Sequence, residues 1–304
     1  MSDDVRFPVM DHRAEVRAFL KARRARIAPE TVGFSSGDKR RVPGLRREEV
    51  ALLAGVSVDY YIRIERGDLR GVSDEVLMAI ARALQLNEEE VEHLFDLAAV
   101  ARHGWRRTRG PRPVETVRPG IQRVLDAMTG AAAWVSNDRM DLLAANLLGC
   151  AIHVPLFDMP RRPVNNARFV FLDDYAPEYY TNWDEMADGF AAMLRGMAGG
   201  DPGNPALAEL VDELLAGSPE FRSRWEAHEV MRFRGDRRLL GHPEVGPLEV
   251  GMEVFDMPGD PGLAMLAYYP EDTSRARAQW ARLEEWAATQ PPERFRIHAE
   301  LYAG

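Results

Sequence analysis

The sequence is almost without cysteine and has no long apolar run. Its single cysteine, Cys150, excludes an internal disulfide and a metal site made of several cysteines, and we expect a small buried apolar residue there. No run of about eighteen apolar residues occurs, so no membrane span is predicted. Residues 1–6 lack the basic start and apolar stretch of a secretory signal. These absences together predict a cytoplasmic protein.

Motifs for metal binding and catalysis are missing too. The seven histidines are scattered, without H-x-x-x-H or H-E-x-x-H spacing, and there is no glycine-rich phosphate loop. Residues 33–37 match the G-x-S-x-G motif of hydrolases, which requires a strand before it and a helix directly after it. Here a helix and Pro29 precede it and a basic loop follows. We therefore predict no enzyme activity, no metal site and no resident cofactor.

The charge is acidic overall but unevenly distributed. The chain of 304 residues has a net charge of −9. Residues 12–70 contain 14 basic and 8 acidic residues, a net charge of +6, whereas residues 113–304 contain 18 basic and 30 acidic residues, a net charge of −12. Such asymmetry between halves is typical of a nucleic-acid-binding module joined to a different domain.

Residues 45–67 have the pattern of two short helices joined by a tight turn. Ala51 is small at the point where the two helices must cross, and Gly55 suits a turn that needs positive φ. Ser57 is a good N-cap for the second helix. Tyr61 and Ile64, three residues apart, share a face that packs on the first helix. The pattern predicts a helix-turn-helix that inserts its second helix into the major groove of DNA.

Two groups of residues are candidates for contacts with DNA. For residues 45–67 the alternative is an ordinary helical hairpin, whose second helix Gly67 is placed to end. For the basic run 39–41, which precedes this hairpin, the alternative is a solvated loop. The predicted base-reading residues lie on the exposed face of the second helix: Ser57, Val58, Asp59, Tyr60 and Arg63. The predicted phosphate-binding residues are Lys39, Arg40, Arg41, Arg47 and Arg66.

The chain resembles a known family along most of its length. Residues 45–67 resemble the helix-turn-helix of XRE-type regulators, and the longer string 40–57 is similar to MmyB-like transcription regulators. The likeness continues at residues 166–172, 218–221, 225–230 and 242–246. The resemblance implies an XRE-type DNA-binding half followed by a PAS-like half that binds a small molecule.

The helical and strand patterns predict a multi-domain protein. An all-α helix-turn-helix bundle of about five helices is expected over residues 10–101, and the Pro-, Gly- and Arg-rich residues 102–117 are expected to be a linker. Residues 118–290 are expected to form an α+β, PAS-like domain with an antiparallel sheet. Its strands are predicted near 131–136, 140–144, 230–233, 248–255 and 263–269, and its helices near 121–128, 188–197, 206–216, 220–228 and 274–288.

The resemblance implies that the second half binds an apolar, fatty-acid-like ligand. Aromatic side chains can line a pocket, and a basic or hydrogen-bonding group can hold a carboxylate head. The alternatives are ordinary core packing for the aromatic residues, and structural ion pairs or hydrogen bonds for Arg168 and His228. The candidate ligand-binding residues are Trp134, Asn146, Arg168, Phe169, Trp183, Phe190, Trp225, His228 and Arg232.

We therefore expect a sequence-specific bacterial transcription regulator that binds double-stranded DNA as a homodimer and is associated with the nucleoid. A dimer is expected because one helix-turn-helix buries little surface and two half-sites multiply specificity. Two alternatives stay open. The second half can be only a dimerisation or protein-interaction module, or the chain can be an enzyme that uses its helix-turn-helix for localisation.

Overall fold

A computed structural model describes residues 11–34, 44–103, 116–231 and 236–295. The chain divides into two compact units. The first unit contains the described residues of Met1–Thr108, Ala191–Asp212 and Arg222–Arg232, and the second unit contains those of Arg109–Phe190, Glu213–Phe221 and Phe233–Gly304. The sequence analysis predicted two domains, each one continuous stretch of the chain, separated by a linker at residues 102–117. The first unit of the structure instead also includes two segments from the second half of the chain.

The elements of the N-terminal half are helical. The helices are α1 (His12–Arg26), α2 (Arg47–Ala54), α3 (Val58–Glu65), α4 (Asp74–Ala83) and α5 (Glu88–His103), with a 3-10 turn at Pro29–Val32. Asp11, Ser57 and Ser73 cap α1, α3 and α4 by accepting hydrogen bonds from backbone N–H groups of the first turn. The helical bundle predicted for this half is confirmed.

In the C-terminal half, two strands come before a run of helices, and three further strands and a last helix follow it. In chain order its elements are α6 (Pro119–Ala127), β1 (Ala132–Asn137), β2 (Leu142–Ala145), α7 (Leu147–Ile152), α8 (Val154–Asp158), α9 (Asn166–Leu172), α10 (Ala176–Tyr179), α11 (Trp183–Gly200), α12 (Pro205–Gly217), α13 (Pro219–Glu226), β3 (Asp236–His242), β4 (Gly246–Asp256), β5 (Leu263–Pro270) and α14 (Ser274–Thr289), followed by a 3-10 turn at Pro292–Phe295. The division between the units falls inside α11, α12 and α13.

The five strands form one antiparallel sheet in the order β2-β1-β5-β4-β3. Because side chains alternate along a strand, the two faces of β1 differ. Ala133 and Val135 pack with Ile121 and Leu125 of α6 in one core. Trp134 lies on the opposite face, which it shares with Tyr268 of β5. This second face holds the aromatic interior described below, and the predicted α+β class with an antiparallel sheet is confirmed.

The core of the first unit includes residues from both halves of the sequence. Val16, Phe19 and Leu20 of α1 pack with apolar residues of α2 to α5, and Val230, which follows α13, belongs to the same cluster. The prediction of a strand at 230–233 is therefore wrong where Val230 is concerned, since that residue is outside the sheet and the strand begins at Asp236. An isolated apolar pair next to polar residues does not reveal which surface it will cover.

Four short helices, α7 to α10, were not predicted from the sequence. They occupy residues 147–179, each with four to seven residues. Helices this short do not complete an apolar period, so periodicity gives no signal for them. Side-chain caps begin two of them: Asn146 and Asn165 accept hydrogen bonds from the N–H groups of Gly149 and Arg168, at the starts of α7 and α9.

Candidate DNA-binding and ligand-binding sites

The turn between α2 and α3 has the geometry that the sequence predicts. Gly55 adopts a left-handed conformation with φ of 66°, and the next residue, Val56, donates to the carbonyl of Ala51 at 3.0 Å. Ser57 accepts a hydrogen bond from the N–H of Tyr60 at 3.2 Å. The two helices are thereby joined by a short, hydrogen-bonded turn, with Ala51 completely buried between them.

The outer face of α3 is exposed. Ser57, Val58, Asp59 and Arg63 are exposed and Tyr60 is partly exposed, whereas Tyr61 and Ile64 on the opposite face are completely buried. The Arg63 guanidinium lies 4.9 Å from the centroid of the Tyr60 ring and its Nε lies 3.8 Å from Asp68. These contacts orient Arg63 while leaving its donors accessible, which is the requirement for a bidentate contact to guanine.

A buried carboxylate fixes α3 to its neighbours. Glu65 is 1 % exposed, and its Oε1 accepts from Nε and Nη2 of Arg24 at 3.1 and 2.9 Å. Its Oε2 accepts from Nε of Arg47 at the start of α2. Arg24 also donates to the carbonyl of Leu45 at 2.6 Å. A buried ion pair of this kind specifies one arrangement of helices, because removing either partner leaves an unpaired buried charge.

The predicted phosphate-binding residues have different surroundings. The Arg47 side chain is half-exposed, so one edge of its guanidinium binds Glu65 while the rest faces solvent. Arg66, directly after α3, is exposed. Lys39, Arg40 and Arg41 lie outside the described residues. Arg46, which the sequence analysis left out, is half-exposed at the start of α2, where its Nη1 lies 3.3 Å from Glu48.

The second unit contains an aromatic interior on one face of its sheet. The Trp134 ring lies 4.4 Å from the ring of His153 and 4.8 Å from that of Tyr268, and all three side chains are buried. Burial lowers the pKa of His153 to about 4, so this ring is neutral at pH 7. No hydrogen-bond acceptor for the indole N–H of Trp134 is found among the described residues.

Tyrosine hydroxyls and one arginine make this interior partly polar. Tyr179 donates its hydroxyl to the carbonyl of Ile152 at 2.5 Å, and Phe169 lies edge-on to both Tyr179 and Tyr180. Burial raises the pKa of Tyr268 to about 12, against the opposing effect of Arg238, which is hydrogen-bonded to it. The interior therefore combines apolar ring surface with neutral donors and one cation, a composition suited to an amphiphilic small molecule.

Several predicted ligand-binding residues of the second unit have structural partners. Asn146 uses its whole amide: its oxygen accepts from Ala133 and Gly149, and its nitrogen donates to two carbonyls, of Met128 and Ala131. Arg168 donates to Glu213 at 3.0 Å and lies 4.0 Å from Asp141. Trp183 donates its indole N–H to the carbonyl of Val170 at 3.0 Å, and Phe190 is buried.

The remaining candidates for the ligand belong to the first unit or are not described. Trp225 lies under the guanidinium of Arg195, 4.2 Å from it, and His228 Nδ1 lies 3.9 Å from Glu15. Both residues are in the first unit, apart from the group around Trp134 and Phe169. Arg232 lies outside the described residues. The nine candidates are thus not brought together in one unit.

Sequence analysis missed three residues that the structure places at these sites. Arg238 is on β3 beside the tyrosines, and Glu15 and Arg195 form a buried ion pair 180 residues apart. Glu15 offered one local signal, since it lies directly before Val16 on the apolar face of α1. Arg195 offered a similar one, as a single arginine in the otherwise apolar and small run 190–200. Neither signal identifies a partner that distant in sequence.

Two further properties concern the described residues as a whole. Within these ranges, no helix combines the length and the apolar character needed to cross a membrane. In the same ranges, no group of three or more histidine, cysteine or acidic side chains is arranged to hold a metal ion. Cys150 is buried as expected, and burial raises the pKa of its thiol to about 12.

Comparison with known families agrees with this geometry. Residues 40–91 match the helix-turn-helix family model, and residues 117–283, more than half of the chain, match the model of the MmyB-like transcription regulator ligand binding domain. The chain belongs to the MmyB-like transcription regulators. No curated protein matches it in sequence.

An MmyB-like regulator is a DNA-binding transcription regulator with a ligand-binding domain, and both matched families are regulator types. The helix-turn-helix match contains α2 and α3. The ligand-binding match contains the aromatic interior around Trp134. It also contains residues 191–212 and 222–232, which belong to the first unit.

Proposed function

We propose that this protein reads a specific DNA sequence with the exposed face of α3 and binds its operator as a homodimer. The observation that carries the proposal is the contrast between the two faces of α3. Val58 and Arg63 are 42 % and 48 % exposed, whereas Glu65, on the buried face, is fixed by two arginines. A rigid helix with accessible donors is what direct readout in the major groove requires.

Selection from random duplexes with the full-length protein tests this proposal. We expect an enriched motif with two half-sites about 34–36 Å apart, since a two-fold dimer spaces its recognition helices by one turn of DNA. Arg63→Ala is expected to weaken binding of the protein to the selected duplex by about 1–3 kcal/mol. It should also relax the base preference at one position of each half-site.

Arg123→Ala is the matched control, because Arg123 is an exposed arginine of α6 in the second unit. It removes the same charge away from the helix-turn-helix and should leave the motif unchanged. An equal loss for every duplex with Arg63→Ala would mean that Arg63 binds phosphate and does not read a base. A single half-site bound by a monomer would contradict the dimer.

For the second unit we propose an apolar, fatty-acid-like ligand whose binding changes the affinity for DNA. The aromatic interior of Trp134, Phe169 and Tyr268 supports this proposal, as does the family's ligand-binding domain. Arg238, which is hydrogen-bonded to Tyr268, is a cation that can bind a carboxylate head. At Arg168, a ligand carboxylate would have to compete with Glu213 for the guanidinium.

Mass spectrometry of small molecules extracted from the denatured full-length protein tests the ligand. A stoichiometric fatty acid or similar amphiphile would support the proposal, and adding it back should change affinity for the selected duplex, because a ligand shifts only an equilibrium whose states it binds unequally. An empty protein, isolated again from its native host, would favour the alternative in which the second unit serves only dimerisation or protein interaction.

A further inference from the structure

Part of the ligand-binding family match is built into the first unit. Residues 191–212 and 222–231 belong to the match and pack in the same unit as the helix-turn-helix. Val230 lies in one core with Val16 and Phe19 of α1. Gly199 of α11 comes so close to α5 that an added Cβ would lie 2.4 Å from the ring of His93. These segments are therefore structural parts of the unit that carries the recognition helix.

The central contact of these segments is a buried ion pair between α1 and α11. Nη1 of Arg195 lies 2.7 Å from both carboxylate oxygens of Glu15, and the two side chains are 2 % and 6 % exposed. Nη2 of Arg195 donates to the carbonyl of Trp225, and the guanidinium stacks 4.2 Å from the Trp225 ring. Arg195 thus binds α1 and the end of α13 at the same time.

A second contact runs from α1 to the residues after α13. Arg23 donates to the carbonyl of His228 at 2.7 Å, and its Nε lies 2.8 Å from Glu90 of α5. His228 has φ of 55°, a left-handed conformation that is strained for a non-glycine residue. A strained residue persists only where its surroundings hold it, and here Arg23 and Glu15 are its neighbours.

The helix α1 is in turn fixed to the recognition helix at both ends. At its start, Arg13 is so close to Gly67, just after α3, that a Cβ on Gly67 would lie 2.5 Å from the Arg13 carbonyl oxygen. At its end, Arg24 holds Glu65 of α3. A shift of α1 along or about its axis is therefore passed directly to α3, since close-packed helices do not deform continuously.

We propose that Glu15 and Arg195 are positioning residues through which segments 191–212 and 222–231 set the placement of α1 and, through α1, of the recognition helix. This inference rests on the proposed DNA-binding function and not on the identity of the ligand. It assigns to this part of the ligand-binding match a direct role in DNA affinity. Loss of the pair should misplace α3 on DNA and so reduce specific binding more than non-specific binding.

The test uses full-length Arg195→Met, which keeps side-chain length and removes the charge. We expect at least tenfold weaker binding to the selected duplex, at most threefold weaker binding to random duplex, and at least tenfold faster amide hydrogen exchange in α3 with β5 unchanged. Arg139→Met is the matched control, because it breaks the buried Arg139–Asp141 pair of the second unit. It should leave α3 exchange and both DNA affinities unchanged.

The ratio of specific to non-specific affinity separates positioning from simple loss of folded protein, which lowers both affinities equally. Arg195→Lys, which keeps the charge, should recover part of the ratio. If Arg195→Met does not fold, Glu15→Gln replaces it with the same expectations. A folded variant with an unchanged ratio and unchanged α3 exchange overturns this inference. A wild-type protein that selects no motif overturns the proposed function instead.

Discussion

The two units differ in the side chains that surround their candidate sites. The first unit buries charges, with Glu15, Arg23, Glu65 and Glu90 all inside, and leaves the residues proposed to read DNA on its surface. The second unit surrounds Trp134 with neutral rings and tyrosine hydroxyls. Buried ion pairs fix one arrangement of helices. An interior lined mainly by aromatic rings instead offers surface to a small molecule.

This difference separates two physical tasks. A recognition helix must be held rigidly from behind, because its contacts with base edges depend on its position relative to the backbone. A ligand-binding interior must tolerate exchange between empty and filled states, which charged pairs with strict geometry would resist. The three predictions that follow test this division, from the largest expected effect to the smallest.

The first prediction concerns the rigid contact between α1 and α3. Gly67→Ala is expected to cost about 3–4 kcal/mol in the free energy of unfolding, because φ of 92° is strained for alanine and the new Cβ would meet the Arg13 carbonyl oxygen. Thermal unfolding followed by circular dichroism, together with hydrogen exchange of α3, measures the loss.

Gly55→Ala is its control. Gly55 also has positive φ, 66°, but no atom lies within 4 Å of an added Cβ, so the expected cost is only the backbone strain of about 1–2 kcal/mol. Equal costs for the two substitutions would show that the close approach to Arg13 contributes nothing to holding α3.

The second prediction is that the two units lose stability over different ranges of pH. The pKa of His153 is lowered by burial from 6.5 to about 4, so the unfolded chain binds a proton at pH 5 and the folded second unit does not. Stability contributed by neutral His153 is present above pH 6.5 and is lost as the pH falls towards 4, by about 3 kcal/mol in total. Urea denaturation followed by tryptophan fluorescence should show this loss, and His153→Gln should remove it.

Glu15 provides the comparison in the first unit. Burial acts to raise the pKa of Glu15, but the neighbouring His228 and Arg195 lower it from 4.5 to about 2. Its contribution is present above pH 4.5 and is lost only as the pH falls towards 2, a window below that of His153. Hydrogen exchange of α1 compared with β1 distinguishes the two losses, and Glu15→Gln should remove only the lower one. A loss near pH 5 unaffected by His153→Gln would refute the assignment.

The third prediction concerns an exposed ion pair, Arg277 with Asp272. Their side chains are 67 % and 89 % exposed, so solvent screens the attraction and Arg277→Ala should change the free energy of unfolding by less than about 0.5 kcal/mol. Chemical denaturation of the variant measures this, with Arg282→Ala on the same helix as a surface control. A cost above 1 kcal/mol would mean that surface charge pairs, and not only buried ones, hold this protein together.

The sequence predicted a structural feature well when the residues that determine that feature lie close together in the chain. The turn at Gly55, the cap at Ser57 and the burial of Tyr61 follow from chain geometry within a few residues, and the structure agrees with each. The strands β1, β4 and β5 were predicted within a few residues because apolar residues are concentrated in them. The short helices at 147–179 had no periodic signal, and the strand placed at 230–233 proved to begin at Asp236.

The candidate sites show the same dependence. The exposed residues of α3 were predictable because the helical period separates its two faces. The surroundings of Trp225 and His228 were not, because their neighbours Arg195 and Glu15 come from distant segments. Whether an arginine binds a ligand, a carboxylate side chain or a phosphate depends on which segments of the chain pack around it, as the Arg168–Glu213 pair illustrates.

The helix-turn-helix and the antiparallel character of the second half follow from short-range sterics and hydrophobic periodicity, which act before the chain is folded, whereas the family was identified by resemblance. It is the tertiary fold that places residues 191–212 and 222–231 in one unit with α1 and brings Arg195 to Glu15 across 180 positions. The physical reason is burial. A charge left alone in a core costs several kcal/mol, so each buried charge requires a partner, and the fold alone determines which partner is within reach.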